Sequence, residues 1–136
     1  MPMLPARPAN STISHLSFEQ TLARLRQAIV RRQLKVFAMI DFAADAWSAD
    51  MELRPTTMIM FGNPAIGTRL LQDDQTTALD LPLKMLVYQT SRGEVRITYI
   101  DPVVIAERHG LGVEARRAAA LMRHLLTDVA AEAATK

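Results

Sequence analysis

The stretch from residue 82 to residue 100 restricts the fold most strongly, because it contains two strand-like segments joined by a short turn. The first, "PLKMLVYQ", begins with Pro82, and proline is tolerated at the first position of a strand. The second, "EVRITYI", alternates apolar and polar residues over positions 94–100. "TSRG" lies between them and is typical of a hairpin turn. The pattern therefore predicts an antiparallel pair of strands.

The rest of the chain supplies three more strands and two long helices. Residue type and length predict strands at 11–16, 36–42 and 56–61. Ser17 and Gln20 form a capping box, which predicts a helix that runs to about Arg32. A second long helix is predicted from about Val113. Its apolar stripe consists of Leu121, Met122, Leu125, Leu126 and Val129.

Short helical insertions are predicted between the strands. Residues 43–51 form one, and Asp101 as N-cap with Pro102 after it begins another that ends near Gly110. The resulting order is β-α-β-β-β-β-α, with the long helices on one face of a mainly antiparallel sheet of about five strands. We therefore predict a single α+β domain over residues 11–136, preceded by a disordered Pro-rich tail over residues 1–10.

Composition excludes several classes of protein. The 136 residues include no cysteine, so disulfides, iron–sulfur clusters and cysteine nucleophiles are ruled out. No run of 18 apolar residues occurs and residues 1–10 lack the apolar core of a signal peptide, so we expect a cytoplasmic protein without a membrane partner. The net charge is only +2, and acidic residues are interspersed among the arginines. This mixture is typical of solvated helix faces, so we expect no nucleic-acid partner.

Two of the predicted strands carry apolar residues on both faces. In "VFAMI", alternation places Val36, Ala38 and Ile40 opposite Phe37 and Met39. In "MIMF", Ile59 and Phe61 oppose Met58 and Met60. Helices can cover one face, but the other would remain as an exposed apolar patch. The pattern therefore predicts a homodimer, or a sheet face that is covered in another way.

Four segments together resemble the Domain of Unknown Function 302 family: "VFAMIDFAADA", "LRPTTMIMFGNPAIGT", "ALDLPLKMLVY" and "YIDPVVIAERHGL". The resemblance rests on their order and spacing over residues 11–112. It implies a fold like one half of the TATA-binding protein, with a curved antiparallel sheet and helices on one side, and it implies no established activity. Family members often carry Asp-His where this chain has Asp41-Phe42, so the resemblance supports no role for a histidine there.

The segment "FGNPAIGTRLLQ" at positions 61–72 is the main candidate for a binding site. Asn63 fits an N-cap and Pro64 fits the position after it, so the loop is first of all a turn from a strand into a helix. Gly67 and Thr68 are expected to end or interrupt the helix within a turn. A helix start with free N–H groups is a natural seat for an anion. We therefore predict a small carboxylate- or phosphate-bearing ligand near Asn63, Thr68 and Lys84.

These features favour a small binding or interaction domain, and an enzyme is the alternative. Asp41 and Asp80 could divide acid and base work with Lys84 or His109, although the sequence does not place the two carboxylates together. Arg108 and His109 at a helix end are also explained by the helix dipole. We keep all of these residues as ligand-binding candidates and assign no catalytic residue. No metal site is predicted, because the histidines are isolated, and no phosphate-loop or dinucleotide motif indicates a cofactor.

Overall fold

The computed structural model describes residues 9–136 and contains one five-stranded sheet with its helices. The strands are β1 (Ala9–Ser14), β2 (Lys35–Asp41), β3 (Thr56–Gly62), β4 (Leu83–Gln89) and β5 (Val95–Ile100). Their order across the sheet is β1-β5-β4-β3-β2, and each neighbouring pair is antiparallel. The helices are α1 (Phe18–Arg31), α2 (Phe42–Ser48), α3 (Pro64–Asp73), α4 (Pro102–Arg108) and α5 (Val113–Ala133), with a 3-10 helix at Gln75–Asp80. The predicted α+β class is confirmed; the 3-10 helix is additional.

Most helices begin where the sequence predicts. The Ser17 hydroxyl accepts a hydrogen bond from the Gln20 N–H at 3.1 Å, and the Gln20 side chain accepts one from the Ser17 N–H at 3.2 Å. The predicted capping box is therefore confirmed. Asp101 caps α4 by accepting from the Val103 N–H at 2.9 Å. At the far end, Gly110 has a φ of 61°, a backbone conformation that glycine adopts without strain.

The core lies between one face of the sheet and the helices. Alternate residues of β3, β4 and β5 are buried there, while the residues between them are half-buried or exposed on the other side. Helix α1 packs against β4 and α5, and α5 also packs against α3 and α4. The largest fully buried side chains include Phe61, Leu25, Ile29, Ile59, Leu70, Met85 and Ile97. We call the opposite side of the sheet the open face.

The buried face of α5 differs from the predicted stripe. Met122, Leu126 and Val129 are buried as expected, but Leu121 is 56 % exposed. The rest of the buried face consists of alanines at positions 115, 118, 119, 130 and 133. Small residues let α5 approach α1, α3 and α4 closely, whereas a leucine at every apolar position would hold them apart. The predicted stripe was based on large apolar residues alone, and it therefore assigned Leu121 to the buried face of α5 wrongly.

A bulge in β2 corrects the predicted alternation of its side chains. Val36 is opposite Phe61 and Ala38 is opposite Met60, so one extra residue, Phe37, lies between two consecutive partners. Cross-strand partners share a face, and Val36 accordingly packs on the core side with Phe61. Ala38 and Ile40 share the open face, and Met39 is on the other side, as the predicted alternation has it. The prediction for Val36 was wrong because a bulge shifts every residue before it to the other face.

Helix α3 does not stop at Gly67 and Thr68, so that prediction was also wrong. The helix continues to Asp73. The Thr68 hydroxyl donates to the Pro64 carbonyl at 2.6 Å, which accommodates this residue within a helix. Leu70, two residues further on, is fully buried and anchors the helix in the core. Burial of an apolar side chain thus outweighs the weak helix propensity of glycine and threonine.

Part of the predicted N-terminal tail falls outside the described residues. Residues 1–8 lie outside them, whereas Ala9 and Asn10 already belong to β1 and pair with Ile100 and Tyr99. Across residues 9–136, none of the helices combines the length and apolar character that crossing a lipid bilayer requires.

Candidate functional site

The Asn63 loop is a capped helix start. Asn63 Oδ1 accepts from the N–H groups of Ala65 and Ile66 at 2.9 and 3.4 Å, as the sequence predicts for an N-cap. Pro64 has no N–H, and the Gly67 N–H donates to the Asn63 carbonyl at 2.9 Å. The backbone donors of the first turn are therefore already used. The first turn of α3 therefore has no free N–H group for an anion, contrary to the expectation from the sequence.

The same loop borders an apolar cavity of about 260 Å³, which we call the Gly67 cavity. Asn63, Gly67 and Thr68 contribute to its wall together with side chains from β2, β3, β4 and α5. Three of the predicted site residues are thus brought together. The space that they border is apolar. The Asn63 oxygen and the Thr68 hydroxyl add little polarity to it, because both already form hydrogen bonds within the helix.

Lys84 is on the open face of the sheet and does not join these three residues. Leu83 is opposite Phe61 on the core face, whereas Lys84 is opposite Met60 on the open face. Lys84 lines a second cavity of about 230 Å³, which we call the Lys84 cavity. The predicted combination of Asn63, Thr68 and Lys84 is therefore not formed, because successive residues of a strand point to opposite faces.

The Lys84 cavity combines an apolar lining with charged groups at one end. Its apolar walls come from the open face, from Leu83 and Tyr99 on the core face and from α4, and its charged lining residues are Asp80 and Lys84. Several other residues that line it were not predicted as site residues: Met58, Leu86, Thr98, Ile100 and Ile105. The sequence does show that both faces of the central strands are apolar, which indicates that these residues could form a binding surface. Only the sheet register shows which of them are next to Lys84.

Asp80 connects the charged residues of two distant segments. His109 Nε2 lies 2.7 Å from Asp80 Oδ2, and Arg108 Nη1 donates to Asp80 Oδ1 at 3.1 Å. The hydrogen bond with His109 is the main cause that lowers the pKa of the Asp80 carboxyl, and the charge of Arg108 adds to it. The predicted candidates Asp80, Arg108 and His109 therefore form one cluster, with Lys84 nearby on the same cavity.

The Lys84 ammonium is half-buried and is only partly compensated. Its Nζ donates to the Pro82 carbonyl at 3.0 Å. Among residues 9–136, no carboxylate oxygen lies within 4.0 Å of Lys84 Nζ, the limit for an ion pair. Burial lowers the pKa of Lys84, and the charge of Asp80 opposes this effect to a smaller extent. An anion bound next to Lys84 would therefore stabilise the charged form of its side chain.

Asp41 lies away from this cluster. It is the N-cap of α2, where its Oδ1 accepts from the Ala44 N–H at 2.9 Å. Asp41 is opposite Thr57, near the start of β3, whereas the residues after Asp80 begin β4 opposite Phe61. Four residues of strand separate those two positions, about 13 Å. The two carboxylates therefore do not converge. Within the described part of the chain, no three histidine or acidic residues come together as a potential metal site.

Asp80→Asn is expected to lower the free energy of unfolding at pH 7 by about 1 kcal/mol, because hydrogen bonds to the charged carboxylate are lost. The folded-state pKa of Asp80 lies below its ordinary value of 3.8. Its stabilisation is thus complete above that value and is lost as the pH falls through the lowered one. Urea unfolding from pH 7 to pH 2 should show the two proteins converging in acid.

Asp128→Asn is the matched control for this prediction, because Asp128 is exposed on α5. It should leave the free energy of unfolding nearly unchanged across the same pH range. A loss for Asp80→Asn that is as large at pH 2 as at pH 7 would contradict the role of the ionised carboxylate.

Known proteins match a large part of this sequence. The chain is similar to proteins named "Fluoride-specific ion channel FluC 1" from Brucella suis biovar 1 (strain 1330) and Brucella abortus biovar 1 (strain 9-941), at 39 % identity over 100 residues. The matches cover 74 % of this chain but only 39 % and 37 % of those relatives.

A solved structure extends the comparison to the fold. The crystal structure of an uncharacterized conserved protein DUF302 from Bacillus stearothermophilus matches with a TM-score of 0.84 at 17 % identity, covering 94 % of this chain and 99 % of that one. The family model described as "Domain of unknown function DUF302" matches residues 10–129. The resemblance in the sequence is thus confirmed, and the chain belongs to the DUF302 family.

Proposed function

We propose that the chain is a homodimeric binding domain that holds a small amphipathic anion in the Lys84 cavity. The observation that carries the proposal is the half-buried Lys84 ammonium, which donates to one carbonyl and has no carboxylate partner within ion-pair distance among the described residues. A carboxylate or phosphate group would supply the missing negative charge. Arg108, which is bound to Asp80 at the same end, adds positive potential.

The remainder of the cavity selects the body of the ligand. Met58, Leu86 and Ile100 line it with apolar surface. At about 230 Å³, the cavity is smaller than the sites that enclose drug-sized molecules. The ligand class that fits is therefore a short-chain or single-ring monocarboxylate or monophosphate, with its anionic group at Lys84 and its apolar part against the sheet.

The dimer is proposed because the cavity and the apolar side chains occupy the same open face. Ala38, Ile40, Met58, Met60 and Leu86 form a continuous apolar strip across β2, β3 and β4. Among the described helices, α2 has no buried residue and contributes none to the core. A second copy placed against this strip would remove its apolar surface from water and would close the Lys84 cavity.

The experiment is an anion screen by thermal shift, followed by calorimetry with each ligand found. Benzoate, hexanoate and phenyl phosphate represent the proposed class. Fluoride forms a separate arm, because the channel relatives are named for it. An increase in melting temperature with an organic carboxylate or a phosphate ester, and a defined dissociation constant, would support the proposal. Absence of binding across the whole panel would contradict it.

Lys84→Met is expected to weaken anion binding about tenfold, because it keeps the apolar stem of the side chain and removes the charge. The affinity of the wild type should also fall as the pH rises through the pKa of Lys84, which lies below its ordinary value of 10.5. Calorimetric titrations of both proteins over a range of pH measure both effects.

Lys35→Met is the matched control, because Lys35 is exposed on β2 with its Nζ 5.0 Å from the centre of the Phe37 ring. This control should bind the anion as tightly as the wild type. Equal affinities for Lys84→Met and the wild type would exclude Lys84 as the anion contact.

A second candidate function is acid–base catalysis, which the close contact of His109 and Asp80 favours. A carboxylate bound to an imidazole fixes the orientation of the ring. Asp80 lines the cavity, so Asp80 would contact the substrate and His109 would be a positioning residue. Chemical conversion of a bound carboxylate that is abolished in Asp80→Asn would favour the enzyme over the binding domain.

A further inference from the structure

We propose that the Gly67 cavity is a second binding site, which takes an uncharged aromatic molecule of one or two rings. The inference is independent of the anion proposed for the Lys84 cavity. The two cavities share Pro82 and Leu83 as a common wall but are lined by different residues elsewhere. The Gly67 cavity is lined neither by Lys84 nor by a residue of the apolar strip assigned to the dimer.

The lining of the Gly67 cavity excludes a charged occupant and favours an apolar one. Phe37, Phe61, Leu71, Leu81 and Met122 form most of its wall, and among the described residues no charged side chain lines it. Its volume of about 260 Å³ exceeds the roughly 150 Å³ of an apolar cavity that remains dry and binds benzene. Phenyl rings and a methionine sulfur also make favourable contacts with an aromatic guest.

Gly67 provides the second observation. It lies in the interior of α3, where glycine weakens a helix relative to alanine. A Cβ atom built at Gly67 has no heavy atom within 4 Å, apart from the glycine's immediate surroundings, so packing within the chain does not require a glycine. Its φ is not in the left-handed region that would require one either. The missing side chain leaves space at the cavity wall that no other part of the chain uses.

The polar side chains at the cavity offer one unused hydrogen-bonding group. The Thr68 hydroxyl is bound to the Pro64 carbonyl, and Asn63 Oδ1 is bound to the start of α3. The amide nitrogen of Asn63 has no hydrogen bond with the rest of the described chain, so its N–H donors are left for a ligand. The ligand class is therefore an aromatic ring with a single neutral acceptor, such as an aryl ketone.

Gly67→Ala and Gly67→Leu test the site because they separate stability from binding. Without ligand, Gly67→Ala should raise the melting temperature by about 3 °C, since alanine favours the helix and meets no clash. Its affinity for acetophenone, measured by ligand-observed NMR, should fall about tenfold as a methyl group enters the space. Gly67→Leu should abolish binding. Ala65→Leu, on the exposed side of the same helix, should bind like the wild type.

Benzoate is the charged counterpart of acetophenone and separates the two cavities. Acetophenone binding that depends on Gly67 and persists in Lys84→Met would support the inference, whatever happens to the anion. Acetophenone binding that is equal in the wild type and in Gly67→Leu would overturn it. Absence of acetophenone binding at millimolar concentration would overturn it as well, even if benzoate binds at Lys84.

Discussion

Ile40→Glu is expected to convert the proposed dimer into monomers, with the dissociation constant raised at least about 100-fold. Ile40 is on the open face, opposite Met58, within the apolar strip that a second copy would cover. A glutamate there would leave an ionised carboxylate buried in an apolar interface without a partner, which costs several kcal/mol, and each 1.4 kcal/mol changes the constant tenfold. Ile40 does not line the Lys84 cavity, so the substitution leaves the lining residues of that cavity unchanged.

Met39→Glu is the matched control for the dimer. Met39 is the preceding residue of the same strand but is opposite Ile59, on the helix side of the sheet, and Arg26 approaches its sulfur at 3.7 Å. Met39 is 38 % exposed and has this cation beside it, so a carboxylate in its place would keep contact with water and with Arg26. Sedimentation velocity at micromolar concentrations should therefore give a dimer for this variant. A wild-type monomer, or two variants that dissociate equally, would contradict the open face as the interface.

Both variants must be shown to fold before their association states are compared. Their far-ultraviolet circular dichroism and thermal transitions serve this purpose. Ile40 is half-buried on an edge strand, so the monomer should lose little stability when it is replaced. Loss of the folded state in Ile40→Glu would move the test to Ile40→Thr, which weakens the apolar contact without introducing a charge.

The features that the sequence predicted correctly depend on residues that are close together in the chain. Ser17 and Gln20, Asn63 and Pro64, and Asp101 and Pro102 each define a helix start within three residues. The hairpin of β4 and β5 likewise depends on one short turn. Local geometry limits these choices strongly, so residue type and spacing are sufficient to identify them.

The features that the sequence did not predict depend on contacts between distant segments. Asp80 and His109 are 29 positions apart, and Arg123 reaches Asp101 across 22 positions. The bulge at Phe37 depends on the register between β2 and β3, and it determines the side of the sheet on which Val36 lies. A single shift of register moves side chains to the other face, so the identity of the site residues did not reveal which of them share a cavity.

Phe61→Ala is expected to lower the free energy of unfolding by about 3–5 kcal/mol, the largest loss of stability that we predict. Phe61 is fully buried in the core between the sheet and the helices, and alanine would leave a cavity that the surrounding side chains cannot fill. Met60, the preceding residue, is half-buried on the open face. Met60→Ala should therefore cost the isolated chain only about 1 kcal/mol.

Urea unfolding at several protein concentrations distinguishes the two positions. The loss caused by Phe61→Ala arises within one chain, so its size should not depend on protein concentration. The loss caused by Met60→Ala should grow with concentration if the open face is the dimer interface, because association stabilises the folded wild type by mass action. Equal losses for the two variants, or a concentration-dependent loss for Phe61→Ala alone, would mean that the core and the interface have been assigned to the wrong faces of the sheet.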